Sequence, residues 1–210
     1  MMTTRSLLAF GILCAGLTAT QATAEPIEFQ IDRTHSHVGF DVHHFGFSRT
    51  IGRFDDYAGI IMIDDRNPEA SSAEVTIKTA SIDTNHKKRD DHLRTEDFFN
   101  VTKFPTMTFK STAIKMTDEK HGQITGQFTL LGVTKPVTLN FQWTRDAPAS
   151  NPAYFGIRTV GFQAEGKIKR TDFGMSKYVG DPIGDEISLS LYFDAIRCSG
   201  EAAKAPACSY

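Results

Sequence analysis

Apolar and polar residues alternate with a period of two along most of the chain. The first such runs are Ile27, Phe29 and Ile31, then Val38, Phe40 and Val42, then Gly59, Ile61 and Ile63, then Val75 and Ile77. Met107, Phe109 and Ser111 continue the pattern, followed by Ile124, Gly126, Phe128 and Leu130, and by Val137, Leu139, Phe141 and Trp143. Val160 to Ile168 and Ile187 to Phe193 close the series. Successive side chains of a strand point to opposite faces, so each run predicts a strand with one apolar face, about nine in all. Turn-like polar breaks at 64–68, 118–122 and 147–152 suit antiparallel neighbours. Only 84–100, TNHKKRDDHLRTEDFFN, lacks the alternation. It predicts one or two short helices crossing an end of an all-β antiparallel barrel or sandwich, since a parallel sheet would need a helix between every pair of strands.

The N-terminus follows a different rule. Arg5, an apolar run over 7–17 and the small residues Ala22 and Ala24 predict a secretory signal peptide over 1–24, cleaved after Ala24. The run is too short to span a bilayer. The mature chain, 25–210, then reads as a single domain. Losing Arg5 leaves 22 Lys and Arg against 25 Asp and Glu. A slightly acidic balance excludes general binding to nucleic acid, which needs an excess of positive charge. Cys198 and Cys208 remain, an even and closely spaced pair in an exported chain, and predict a disulfide pinning the tail 196–210.

Candidate chemistry comes from three features. Phe is abundant, 16 residues against a single Trp, which fits either a packed core or a barrel wide enough to hold one ligand. His35, His37 and His43 share a strand face with Asp41, which fits either a metal-dependent protein or a polar wall. Lys87, Lys88, Arg89, His92 and Arg94 lie beside Phe98 and Phe99. They suit a cationic rim for an amphiphile, or a solvated helix face balanced by Asp90, Asp91, Glu96 and Asp97. No GxSxG or P-loop is present, and both mature cysteines lie at the terminus, so no nucleophile is evident.

Four ordered blocks carry a resemblance: HSHVGFDVHHFGFSRTIGRF, SIDTNHKKRDDHLRTEDFFNVTKFPTMTFKS, GQFTLLGVTKPVTLNF and GFQAEGKIKRTDFGM. Together the chain resembles the YceI-like family of periplasmic polyisoprenoid-binding proteins. The resemblance implies a lipocalin-like barrel of eight strands with a helical crossing, a periplasmic location, and no catalysis or cofactor. It implies an apolar tunnel for an isoprenoid lipid such as a polyprenyl phosphate or a quinone. Phe40, Phe54, Phe109, Phe128, Phe141, Phe162 and Phe193 would line it, and Phe98, Phe99 and Phe104 would close its mouth. His35, Arg89, His92 and Arg94 would stand at the rim, near the head group. A membrane cytochrome of the b561 type would be a partner for a quinone ligand, and an exposed barrel edge would allow a homodimer.

Overall fold

The alternation becomes eleven strands and one helix: β1 (Ile27–Ile31), β2 (His37–His44), β3 (Ser48–Phe54), β4 (Tyr57–Ile63), β5 (Ser72–Lys78), β6 (Ile82–Asp83), α1 (Lys87–Leu93), β7 (Thr106–Met116), β8 (His121–Leu130), β9 (Val133–Pro148), β10 (Arg158–Lys169) and β11 (Ile183–Ile196). This computed structural model describes residues 25–150 and 156–198, with 200, 203 and 208. The predicted leader, 1–24, lies outside the described residues. Strands β1, β4, β5, β7, β8, β9, β10 and β11 pair in that order, and β11 returns to β1. Every one of these pairings is antiparallel, so the ring is a closed eight-stranded barrel and the expected architecture holds.

Two walls of the barrel are each built from two strands. The long β11 pairs with β2 from Ile183 to Tyr192, then with β1 at Ala195 and Ile196. β1 and β2 are thus halves of one wall, broken at 32–36, and β3 and β4 are halves of the next, broken at 55–56. The first break is held by its own polar groups. Asp32 accepts from the Thr34 amide at 2.9 Å and from its hydroxyl, and the Asp194 amide donates to Ser36 Oγ at 3.1 Å. Such turns satisfy backbone groups that have left the ladder.

β3 and β6 were not among the predicted strands. In SRTIGRF the inward positions are Thr50, Gly52 and Phe54, while Ile51 points out and is 73% exposed. The apolar signal of β3 therefore sits on the wrong face. Its pairing with β2, from Val38 opposite Phe54 to His44 opposite Ser48, makes it a strand regardless.

The interior divides by depth. Phe29, Ile63, Val160 and Ala195, all at most 1% exposed, pack with Trp143 and Phe162 and plug one end. Outside that plug Arg158 bonds both Asp65 and Asp146 and lies over the Phe29 ring. At the other end the segment 84–105 crosses between β6 and β7. It holds α1, as expected, followed by hydrogen-bonded turns to Phe104. The Cys198–Cys208 disulfide is formed.

Candidate ligand-binding cavity

Beneath the crossing lies a chamber of about 290 Å³. A second chamber, about 100 Å³, continues towards the plugged end. Val75, Phe109, Leu139, Leu191 and Phe193 line both and form a waist between them. Away from the mouth the walls of both chambers are almost wholly aliphatic and aromatic. Gly126 belongs to this design: a Cβ there would collide with the Phe109 ring and the Lys110 carbonyl, so the bare backbone lets that ring lie flat at the waist.

The structure separates the predicted lining residues. Phe40, Phe54, Phe98, Phe99 and Phe128 line the outer chamber. Phe109 and Phe193 stand at the waist, and Phe141 and Phe162 line the inner chamber. Phe104 lines neither. It packs against Gly132 in the β8–β9 turn with Lys103 above its ring, so it anchors the crossing from outside.

The polar residues also sort by position. Arg89 and His92 reach the mouth. Arg94 does not: its guanidinium donates to the carbonyls of Ala80 and Ile82 at 2.8 and 2.7 Å, tying the crossing to the start of β6. His35 does not either. It bonds Asp32 at 2.8 Å and borders a polar groove with Thr144 and Arg145 on the outer wall.

The metal alternative has no geometry to support it. His37 stacks against Tyr192, and His43 meets Arg49 at 2.7 Å, with Arg49 also paired to Asp41. Among the described residues no three His, Cys, Asp or Glu side chains converge on a point that would hold an ion. The shared face is real, but it is the outer face of β2, where Arg49 meets His43 and Asp41 and the His37 ring lies near Tyr192.

α1 is fixed over the mouth by local chemistry. His86 Nδ1 caps it by accepting from the Arg89 amide, and Lys87 pairs with Asp91 one turn on. The buried Asp90 accepts from the Thr84 amide at 2.9 Å and from its hydroxyl, while Arg89 donates to the hydroxyl and carbonyl of the same Thr84. Leu93, Phe98 and Phe99 then face the chamber, with Phe99 edge-on to Phe54 at 5.5 Å.

Arg170 was not foreseen. It is 2% exposed, borders the mouth, and donates to the carbonyls of Met175, Lys177, Ile183 and Gly184 at 2.8 to 3.1 Å. Burial lowers its pKa from the usual arginine value. In sequence it follows Lys167 and Lys169, which point to solvent, and only the end of strand alternation at Lys169 marks it as different.

A polar latch joins the crossing to the segment before β11. Asp97 accepts from His92 at 2.9 Å and from Lys177 at 3.2 Å. The His92 hydrogen bond, and then Lys177, hold the Asp97 carboxyl below the usual carboxylate range. A depressed folded pKa gives stability that is complete above the unfolded value and is lost as pH falls through the folded one. Amide protection in 92–100, taken relative to the intrinsic exchange rate at each pH, is therefore expected to hold from neutral pH down to the ordinary carboxylate range and to fall below it. Asp97→Asn should remove that pH dependence; an unchanged exchange profile in the variant would show that the latch does not hold the crossing.

Comparison with known proteins places this geometry. A model of the YceI-like domain matches residues 29–195. The proteins named YceI from Salmonella arizonae and Salmonella paratyphi B are each 40% identical over 189 residues, covering 89% of this chain and 96% of theirs. Among solved structures, a YceI protein from Campylobacter jejuni is 34% identical with a TM-score of 0.66, over 73% of this chain and 88% of that one. BcnA from Burkholderia cenocepacia has a TM-score of 0.67 at 24% identity, over 78% and 98%. A polyisoprenoid binding domain from Saccharophagus degradans has a TM-score of 0.59 at 15% identity, over 81% and 99%, a likeness of fold alone. The barrel, the helical crossing and the matched blocks agree: the chain belongs to the YceI-like family.

Proposed function

We propose that this protein binds a long isoprenoid lipid, a polyprenyl phosphate or a quinone, without transforming it, and carries or stores it in the periplasm. The observation that carries this reading is the pair of apolar chambers in line beneath a mouth that holds the polar groups. A chain of methyl-branched hydrocarbon needs apolar surface and little else, since each methylene-sized unit buried contributes about 0.8 kcal/mol before ordering costs. The waist between the chambers suits a chain that threads end-on. The head group would stay at Arg89, His92 and Tyr178, where one end is apolar and the other wet. The outer chamber, about 290 Å³, is near the lower end of ligand pockets, roughly 300–1,000 Å³.

Two observations support the class. The family match covers all but the outermost residues of the barrel, and a neighbour of the same fold is described as a polyisoprenoid binding domain. The predicted leader supports the location. For a quinone ligand a membrane cytochrome of the b561 type would be the fitting electron partner.

Native mass spectrometry of protein purified from the periplasm, followed by organic extraction, tests the reading. The expected result is a bound mass that extracts as a polyprenyl or quinone species. A bare polypeptide mass, unchanged after incubation with such lipids, would sink it.

A further inference from the structure

The tip of the β2–β3 hairpin, Phe45-Gly46-Phe47, shows its rings to solvent: Phe47 is 93% exposed and Phe45 51%. Tyr178 and Val179, at 49% and 40%, lie in the segment before β11. These four belong to one surface. The Phe45 amide donates to the Pro182 carbonyl at 3.3 Å, His44 pairs with Ile183 across β2 and β11, and Val179 bridges Ile183. His44, Tyr178 and Ile183 in turn border the mouth of the outer chamber. The exposed aromatic patch therefore rims the entrance.

The turn keeps its aromatics against the backbone's preference. Phe45 and Gly46 sit at φ 48° and 68°, and the Phe47 amide donates to the His44 carbonyl at 3.1 Å. Two successive positive φ values are the requirement of a type I′ hairpin, where Asn, Asp or Gly is usual at the first position and a bulky residue is strained. Folding alone would favour a polar residue at 45, and solubility a polar residue at 47.

We propose that this patch docks the barrel on a lipid bilayer, with Phe47 and Phe45 inserted at the interface, so that ligand passes between membrane and chamber without crossing water. The patch is a convex tip and not a groove, so it suits insertion better than reception of a partner segment. Its rings are flanked by His43, His44 and Tyr178, an apolar body with polar edges that fits the headgroup level. Arg89 borders the same mouth, and Lys88, one helical turn before His92, has no carboxylate partner among the described residues. Both complement lipid phosphates. The proposal rests on the chamber being a lipid site, and its test separates the two.

Sedimentation with vesicles of phosphatidylethanolamine and phosphatidylglycerol should pull down the wild-type protein. Phe47→Asp should lower the vesicle-bound fraction about tenfold, since an inserted ring is replaced by a charge, and should slow lipid loading from those vesicles to match, while melting stays as in wild type. Phe47→Trp should retain binding and shift its emission to the blue on vesicles. The proposal is overturned if wild type does not bind, if Phe47→Asp binds equally well, or if the patch instead forms a dimer that Phe47→Asp dissolves without any vesicle binding. Docking with no extractable lipid would leave the membrane contact standing but overturn the ligand reading and the transfer that rests on it; extractable lipid with no docking would keep the ligand reading and overturn this inference.

Discussion

Leu189→Trp is expected to empty the protein of lipid while leaving it folded. Leu189 sits on β11 between Phe40 of β2 and Gly166 of β10 and faces the outer chamber. An indole there projects into the outer chamber. Enlarging a side chain in a tightly packed core typically costs about 1–3 kcal/mol through forced rotamers and backbone shifts. Here the chamber absorbs the extra volume, so the melting temperature should move by only a few degrees, by roughly the usual relation between stability and melting. On the proposed function, copurified lipid should fall at least about tenfold, because several methylene-sized units lose their burial at about 0.8 kcal/mol each. Lipid quantified per mole of folded protein decides it. A full complement of lipid in a folded Leu189→Trp variant would mean that the ligand does not occupy this chamber.

Arg170→Met should be the most damaging single change at the mouth. The guanidinium satisfies four carbonyls from the two chain segments that bound the entrance, at 175 and 177 and at 183 and 184. Removing it leaves those acceptors buried or half-buried without donors, at roughly 1–3 kcal/mol for each that water cannot reach. Lysine would not rescue it, since one ammonium cannot serve carbonyls spread around a planar fork. A loss of about 3–5 kcal/mol, measured by denaturant unfolding, would consume much of an ordinary domain's stability. A loss below about 1 kcal/mol would show that the mouth is organised by something else.

The barrel was legible because period-two alternation reports burial directly, and the walls with a clean apolar face, such as β8 and β11, were read correctly. β3 escaped because its inward positions are Thr50 and Gly52 and its aliphatic residue faces out. The aromatic lining was readable as a set, for nine of the ten predicted Phe border a chamber, yet their depth was not. Phe128 and Phe162 look alike in sequence, and only the closed ring places one against Phe173 under the mouth and the other against Trp143 beside the plug. Charge was the least legible. Arg89 and Arg94 lie on the same short crossing, but one reaches the mouth and the other binds carbonyls beneath it. Chain spacing carries no record of which carbonyls will stand free nearby.

The order of the ring has a consequence for when the protein can fold. Each wall pairs with the wall next to it in sequence, which local hairpins form quickly. The last seam is the exception: it joins β1 and β2 to β11, bringing residues such as Gln30 and Ile196 together. Until β11 has emerged the chain is an open sheet with two bare edges and an apolar face exposed to water. A chain with this topology cannot close its barrel while its C-terminal strand is still being made, so the apolar interior stays open until synthesis is nearly complete.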